Sequence, residues 1–465
     1  MMDEELPNWP ELERLGEMPE WLARLDDDAE VQAALAEAIG GLQSAKLSRV
    51  RLKREGWTAR CTIALDGEEG VGHLAATIVP PGRDEPSLPA ASGRPGSEGW
   101  RSWVPRLRLE LISAEPEAKL AALGLLTDPD AARALLEGAI RAATPAYRDM
   151  SILSAAPQVM RYSPGSRCTV LYQLELPEGQ TGRNWPEIVV AKTYHRADKG
   201  RIAWDGMRRL WQSPLSRSEV VTIAEPLAWL PEQKILVQGP IAESRTLKEL
   251  LLATFASSSA SSDELRGYLA KTAAGLAELH HSGAMSDERA TWEEELAEVR
   301  EVLGRLTSTL PHLAGIADPW LEHLERLADK NPEDPSVAAH RSFRPAQVLL
   351  HGEGIGFIDF DGFCRAEPAL DIALFRATAR DLAMSVMTPD TPLETRLGAA
   401  DELSEYFLAR YEELAPISRP RVALWEALDL FTNVLHSWTK VKPARLEYAL
   451  ALVRHHHLGM RDLTS

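Results

Sequence analysis

One short segment, residues 340–362, concentrates side chains that can bind a cation. Its two apolar runs, 348–350 and 355–358, flank a glycine-rich turn, and this pattern predicts a β-hairpin. Asp359 and Asp361 follow the second run. A carboxylate presented at the end of a rigid strand suits a hard cation such as Mg²⁺. The segment therefore predicts an acidic, metal-binding pair at one end of a hairpin.

A polar loop precedes this hairpin and contains His340, Ser342, Arg344 and Gln347. The two strands of a hairpin lie side by side. The loop that enters the first strand and the acidic pair that leaves the second are therefore expected at adjacent ends. This places imidazole, hydroxyl, guanidinium and amide groups beside the predicted cation.

The rest of the chain must hold this segment in place. Residues 159–194 alternate as strands and close on an apolar run that ends at Lys192. A helix is predicted over 200–211, strands over 220–238, and mainly helices from Leu247 onwards. We predict three parts: an α/β N-terminal block over 1–150, a small β-rich lobe over 151–240, and a helical lobe over 241–465.

Composition limits the class of protein. The chain has 465 residues, of which 45% are hydrophobic and 26% charged, and a net charge of −18. These values are typical of a globular protein, and the acidity disfavours nucleic acid as a partner. No cysteine pair has CxxC spacing, the N-terminus lacks a signal-peptide pattern, and no apolar run is long enough to span a membrane. We expect a cytoplasmic protein with neither nucleic-acid nor membrane partners.

The segment 340–362 resembles the catalytic loop and the metal-binding Asp motif of the protein-kinase-like fold. Residues 367–373, Glu-Pro-Ala-Leu-Asp-Ile-Ala, resemble the stretch that follows this motif in aminoglycoside phosphotransferases and their choline- and sugar-kinase relatives. The resemblance covers roughly 159–382 and implies an α+β, bilobal protein-kinase-like fold. The block before it is similar in place and size to the N-terminal cap of maltokinase-like relatives.

The resemblance implies ATP and Mg²⁺ as cofactors. It places Gly165 and Ser166 in the strand–turn–strand that covers the nucleotide, and Lys192 on the ATP phosphates. Gln238 lies at the approach to the hinge between the lobes, where adenine would bind. An acidic partner of the lysine is expected on the next helix, where Asp205 is the candidate; the alternative for Asp205 is an ordinary surface carboxylate.

The resemblance also assigns roles near the hairpin. Asp359 and Gln347 hold the metal ion, and Asp361 assists as a second metal ligand or a catalytic group. His340 or Ser342 faces the acceptor, a small molecule that offers a hydroxyl group.

This sequence departs from the family pattern in two places. Ser342 stands where the family has the Asp that accepts the acceptor's proton, and Gln347 stands where it has Asn. A serine hydroxyl is not a general base near neutral pH. Asp361 or His340 can take over part of this role, and Arg344 can offer positive charge to the transferred phosphoryl group. Two functions stay open: a kinase for sugars, aminoglycosides or amino alcohols, and a nucleotide-binding pseudokinase with a scaffold or regulatory role.

Other polar residues favour structural interpretations. Asp371 is predicted to be a buried carboxylate that holds the catalytic loop through backbone hydrogen bonds. The histidine runs at 280–281 and 455–457 can supply positive charge at helix C-termini, and metal binding is the alternative.

Overall fold

The computed structural model of the chain describes residues 9–66, 72–86, 94–95, 97–113, 122–163, 167–180, 185–256, 262–386 and 391–464. The chain divides into two compact units. The first comprises Met1–Glu115, Trp292–Pro332 and Ala423–Ser465, and the second comprises Pro116–Thr291 and Glu333–Val422.

The strands and helices are numbered in chain order. The strands are β1 Leu42–Lys53, β2 Gly56–Leu65, β3 Gly72–Ile78, β4 Arg101–Val104, β5 Leu109–Ser113, β6 Ser154–Ser163, β7 Arg167–Glu175, β8 Ile188–Thr193, β9 Val221–Ile223, β10 Pro226–Leu230, β11 Ile235–Gln238, β12 Arg245–Thr246, β13 Val337–Ala339, β14 Val348–His351, β15 Gly354–Phe357 and β16 Cys364–Ala366. The helices are α1 Trp9–Glu13, α2 Glu20–Ala23, α3 Asp28–Ala38, α4 Leu123–Thr127, α5 Pro129–Ala143, α6 Ala197–Gln212, α7 Leu247–Ala256, α8 Ser262–His280, α9 Trp292–Thr307, α10 His312–Lys330, α11 Pro368–Val386, α12 Leu393–Glu412, α13 Arg419–Thr439 and α14 Pro443–Thr464.

The first unit contains an antiparallel five-stranded sheet in the order β1-β2-β3-β5-β4. Alternate side chains of its strand β2 are buried, namely Trp57, Ala59, Cys61 and Ile63. A strand with this period-two pattern presents one face to a core and the other to solvent. The described part of residues 1–115 therefore combines helices with an antiparallel sheet, and the boundaries of the N-terminal block stay a prediction.

A second antiparallel five-stranded sheet, in the order β10-β11-β8-β7-β6, belongs to the second unit. Along β7 and β8, the side chains of Cys168, Val170, Val189 and Ala191 are buried in its core together with residues of α5. Helix α5 has an N-terminal cap, since the Asp128 carboxylate accepts the Ala131 N–H at 2.8 Å. This sheet is the predicted small β-rich lobe.

The predicted hairpin is also confirmed. Strands β14 and β15 pair from Val348↔Phe357 to His351↔Gly354, and Gly352 in the turn has a φ of 54°. A backbone in this left-handed region favours glycine. Strand β12 pairs with β14 and strand β9 pairs in parallel with β15, so the hairpin forms the middle of a four-stranded sheet.

Helices α7, α8, α11 and α12 belong to the second unit, as do α4, α5 and α6. Phe375 of α11 stacks on Phe343 and on Phe407 of α12, with ring centroids 5.5 Å and 4.2 Å apart. These buried rings join the loop before the hairpin to the helices, since Phe343 lies in that loop. The predicted α+β fold is confirmed. No helix of the described ranges is both long and apolar enough to cross a membrane.

Gly200 lies where α6 packs tightly against the rings of Trp229 and Tyr194. A Cβ atom at Gly200 would lie 2.3 Å from the Trp229 ring and 2.9 Å from the Tyr194 ring. We expect Gly200→Ala to destabilise the second unit by about 1–3 kcal/mol, because the added methyl group overpacks the contact. Urea unfolding measures the effect.

Gly138 on α5 is the matched control, since a Cβ there meets nothing within 4 Å. Gly138→Ala is expected to stabilise the protein by about 0.4–1 kcal/mol through the lower entropy of the unfolded chain. Equal urea-unfolding midpoints for Gly200→Ala and Gly138→Ala would contradict the packing described for α6.

Candidate active site

Three charged side chains meet where the β-rich part and the hairpin of the second unit come together. The Lys192 ammonium, at the end of β8, donates to Asp359 Oδ1 at 2.5 Å and to Asp361 Oδ2 at 2.6 Å. Its side chain is 13% exposed, and each carboxylate side chain is 32% exposed. The lysine and the acidic pair that the sequence singles out are therefore in direct contact, in a site that solvent can reach.

The electrostatics of Asp359 follow from this contact. Burial by itself raises the pKa of the carboxyl group, but the Lys192 ammonium, with smaller contributions from His340 and Arg167, outweighs it and holds the pKa below its usual value. Asp359 also adopts left-handed backbone angles, φ 71° and ψ 48°. Such a conformation in a residue other than glycine is uncommon and is often found at functional sites.

Tyr194 is a site residue that the sequence motifs do not indicate. It lies two residues after Lys192, immediately beyond the end of β8 at Thr193. Its hydroxyl donates to Asp361 Oδ1 at 2.9 Å. Burial and the neighbouring Asp361 carboxylate raise the pKa of Tyr194, so its hydroxyl stays protonated at neutral pH. No local pattern identifies it, because β8 ends at Thr193 and only tertiary packing brings its hydroxyl to Asp361.

Arg167, on the neighbouring strand β7, was also missed. Thr169 pairs with Lys192 in the ladder, and the Cys168 N–H donates to Thr193 Oγ1 at 2.7 Å. Arg167 therefore lies on the same face as Thr169 and Lys192, and its charge contributes to the lowered pKa of Asp359. The site has a second cation beside Lys192.

His340 links the polar loop to the acidic pair. Its side chain is fully buried, and its ring lies 4.7 Å from the Phe360 ring, centroid to centroid. His340 Nε2 lies 3.0 Å from the Ile358 carbonyl oxygen, and Nδ1 lies 3.3 Å from Ser342 Oγ. Because a carbonyl oxygen only accepts, Nε2 carries a proton and donates it to the Ile358 carbonyl. The other ring nitrogen, Nδ1, is the hydrogen-bond partner of the Ser342 hydroxyl.

Asp371 supports this loop, as the sequence predicts. Its side chain is fully buried, and its Oδ2 accepts the backbone N–H of His340 at 2.6 Å. The same oxygen lies 3.2 Å from His280 Nε2, and His280 Nδ1 lies 2.7 Å from the Tyr411 hydroxyl. His280 thus has a defined structural contact. Helices α8, α11 and α12 together fix the position of the loop.

Gln347 and Arg344 lie next to each other in space at the start of the hairpin. Gln347 closes a 3-10 helix, Pro345–Gln347, and its backbone N–H donates to the Arg344 carbonyl at 2.9 Å. Its side-chain Oε1 is buried and has no hydrogen-bond partner among the described residues. The Arg344 side chain is exposed. An amide oxygen of this kind is a suitable ligand for a hard cation.

The remaining predicted site residues lie as follows. Asp205 is not paired with Lys192; its carboxylate accepts from Arg201 at 3.1 Å on the exposed side of α6. Residues four positions apart are neighbours on the surface of a helix, so an aspartate and an arginine at this spacing pair readily. Gln238 ends β11, opposite Pro226 of β10. Gly165 and Ser166 lie outside the described residues.

The donor set fits Mg²⁺. This ion prefers oxygen ligands and is commonly held by one or two carboxylates together with phosphate oxygens of a substrate. Asp359 supplies a carboxylate, Asp361 supplies a second, and Gln347 Oε1 is the buried oxygen without a partner among the described residues. Within the part of the chain that the structure describes, no three His, Cys, Asp or Glu side chains are grouped as metal ligands.

Comparison with known families agrees with the resemblance. Residues 211–425 match the model of the family described as "Phosphotransferase enzyme family". The matched part is a little under half of the chain and includes the polar loop, the hairpin and the acidic pair. The resemblance to aminoglycoside phosphotransferases is thereby confirmed.

Solved structures with partial similarity include choline kinase from Cryptosporidium parvum Iowa II, at 14% identity, 71% of this chain, 96% of that chain and a TM-score of 0.48. The GDP and kanamycin complex of APH(2'')-IIia is 13% identical, over 69% of this chain and 98% of that chain, with a TM-score of 0.45. Among curated proteins, the 2,3-bisphosphoglycerate-independent phosphoglycerate mutase of Parasynechococcus marenigrum (strain WH8102) is 34% identical over 106 residues, which are 22% of this chain. The match spans 19% of the length of that relative.

Asp371 is expected to determine the stability of the loop. Asp371→Ala leaves the buried His340 N–H without its acceptor and removes a contact of His280. Each buried group that loses its partner costs about 1–3 kcal/mol, so we expect a clear drop in the urea midpoint. Asp198→Ala on the exposed surface of α6 is the control and should leave the urea midpoint nearly unchanged. A midpoint for Asp371→Ala equal to the control's would contradict this role.

The ion pair of Asp359 predicts a pH dependence. Because the folded-state pKa of Asp359 lies below its unfolded value of about 3.9, its contribution is fully present above that pH. The contribution is lost as pH falls through the lower, folded-state pKa. The difference in unfolding free energy between wild type and Asp359→Asn, measured in EDTA, should therefore stay constant from about pH 7 to about pH 4.5 and shrink below it. A difference that grows with acidification would contradict the assignment.

Proposed function

We propose that this protein transfers the γ-phosphoryl group of ATP, with Mg²⁺, to a hydroxyl group of a small molecule. The observation that carries the proposal is the contact of the Lys192 ammonium with both Asp359 and Asp361. A cation that can grip phosphates and two carboxylates that can hold a metal ion are the groups that phosphoryl transfer requires. The match of residues 211–425 to a phosphotransferase family supports the same chemistry.

The roles of the side chains follow from their positions. Lys192, helped by Arg167 on the same sheet face, binds the phosphates, and the backbone near Gln238 receives the adenine ring. Asp359, Gln347 and Asp361 would hold Mg²⁺, which neutralises charge on the triphosphate when bound. The exposed guanidinium of Arg344 offers positive charge at the mouth of the polar loop. Sugars, aminoglycosides and amino alcohols are the acceptor classes that we propose to screen.

Ser342 favours a second candidate, a pseudokinase that binds nucleotide with little turnover. Its hydroxyl contacts His340 Nδ1 at 3.3 Å, so the position offers a neutral group where a carboxylate would accept the acceptor's proton. A general base usually contributes about 10²–10⁴-fold to rate. Phosphoryl transfer depends more strongly on positioning and on positive charge, so a slower kinase is compatible with Ser342.

Nucleotide binding is the first test. In calorimetry with ATP and Mg²⁺, we expect Lys192→Met and Asp359→Asn each to weaken binding about 10- to 100-fold, because each removes a charged contact. Asp198→Asn, which alters an exposed carboxylate paired with Arg196 on the surface of α6, is the matched control and should bind as the wild type does. Wild-type affinity in both site variants would refute the proposed site.

Turnover separates the two candidates. A screen of ATP consumption over the three acceptor classes should show a rate for a kinase and none for a pseudokinase. Ser342→Asp restores a carboxylate and is expected to raise ATP hydrolysis by about 10²-fold or more, whereas Ser342→Asn, of nearly the same size, should not. Equal rates for the two variants would show that a carboxylate at this position is not the missing element.

A further inference from the structure

The Tyr194 hydroxyl occupies a particular place in the site described above. Asp361 has two carboxylate oxygens, and two side chains two residues apart contact them: Lys192 of β8 at Oδ2, at 2.6 Å, and Tyr194, just beyond β8, at Oδ1, at 2.9 Å. Lys192 is shared with Asp359, whereas the hydrogen bond from Tyr194 is directed to Asp361 alone. The tyrosine therefore orients one carboxylate of the pair.

Packing leaves the Tyr194 ring little freedom to move. The residue is 8% exposed, and its ring meets the Trp229 ring edge-on at a centroid distance of 6.2 Å. Gly200 of α6 approaches so closely that a Cβ there would lie 2.9 Å from the Tyr194 ring. A hydroxyl on a ring confined in this way has a fixed position, so it can hold a short carboxylate side chain in one orientation.

The bond matters most when nucleotide is bound. If Lys192 moves to the phosphates, as the proposed function requires, Asp361 loses the donor at Oδ2. The hydrogen bond from Tyr194 to Oδ1 then keeps the carboxylate aimed at the metal. A phenylalanine would fill the same space against Trp229, so packing by itself does not require a hydroxyl at this position.

We propose that Tyr194 is a positioning residue, whose hydroxyl keeps Asp361 oriented toward the metal of the bound nucleotide. The inference rests on the proposed function and adds to it a residue outside the family motifs. It predicts that the hydroxyl strengthens ATP binding in the presence of Mg²⁺. It also predicts that the hydroxyl does not affect ATP binding in the absence of Mg²⁺.

The test uses Tyr194→Phe in the full chain. The quantity measured by calorimetry is the ratio of the ATP dissociation constant in EDTA to that in Mg²⁺. We expect this ratio to fall about tenfold in the variant, since one hydrogen bond to a charged group is lost, while affinity in EDTA stays the same. Asp361→Asn should lower the ratio at least as far, and the double variant should not lower it further.

Tyr172→Phe is the matched control. Tyr172 is a buried tyrosine on β7 whose hydroxyl donates to the Leu126 carbonyl at 2.7 Å, away from the acidic pair. We expect it to lower thermal stability without changing the ratio. An unchanged ratio in Tyr194→Phe, or an equal loss of affinity with and without Mg²⁺, would overturn the proposed role.

Failure of the proposed function gives a different result. If the wild-type protein binds no ATP in either condition, both the function and the role of Tyr194 in it are refuted. A double-mutant cycle of Tyr194→Phe and Asp361→Asn in urea unfolding would then still report coupling, and the bond would be purely structural.

Discussion

The site depends on one electrostatic contact, the Lys192 ammonium between Asp359 and Asp361. Without the lysine, two carboxylates would face each other in a partly buried space, where like charges repel strongly. Without the carboxylates, a mostly buried ammonium would lack these partners. The lysine therefore stabilises both carboxylates and they stabilise the lysine, while solvent can still reach the carboxylates. This exposure is what the proposed binding of a metal ion and phosphates would require.

The structure around this contact holds it from two directions. On the strand side, Tyr194, directly after β8, donates a hydrogen bond to Asp361. On the hairpin side, Asp371 accepts the His340 N–H, and His340 in turn contacts the carbonyl of Ile358, directly before Asp359. The left-handed backbone of Asp359 is maintained by these surroundings. A loop and a strand from distant parts of the chain therefore define one geometry.

Ser342 changes the chemistry without disturbing this frame. Its hydroxyl forms a local contact with His340, whereas the buried contacts that hold the loop run through the His340 backbone and ring and through Phe343. Under the proposed function, the residue expected to decide between turnover and binding is thus separate from the residues that hold the loop.

The sequence by itself determined the local features. The hairpin and the strand that delivers Lys192 follow from short-range periodicity and turn residues, which neighbouring residues largely decide. Tertiary structure alone decided which side chains meet. Lys192 is 167 residues from Asp359 and pairs with it, whereas Asp205, the candidate nearer in sequence, pairs with Arg201. Tyr194, Arg167 and the His280–Tyr411 contact behind Asp371 were likewise outside the reach of local patterns. Such contacts depend on how whole strands and helices pack, and that packing is a property of the complete chain and not of any short segment.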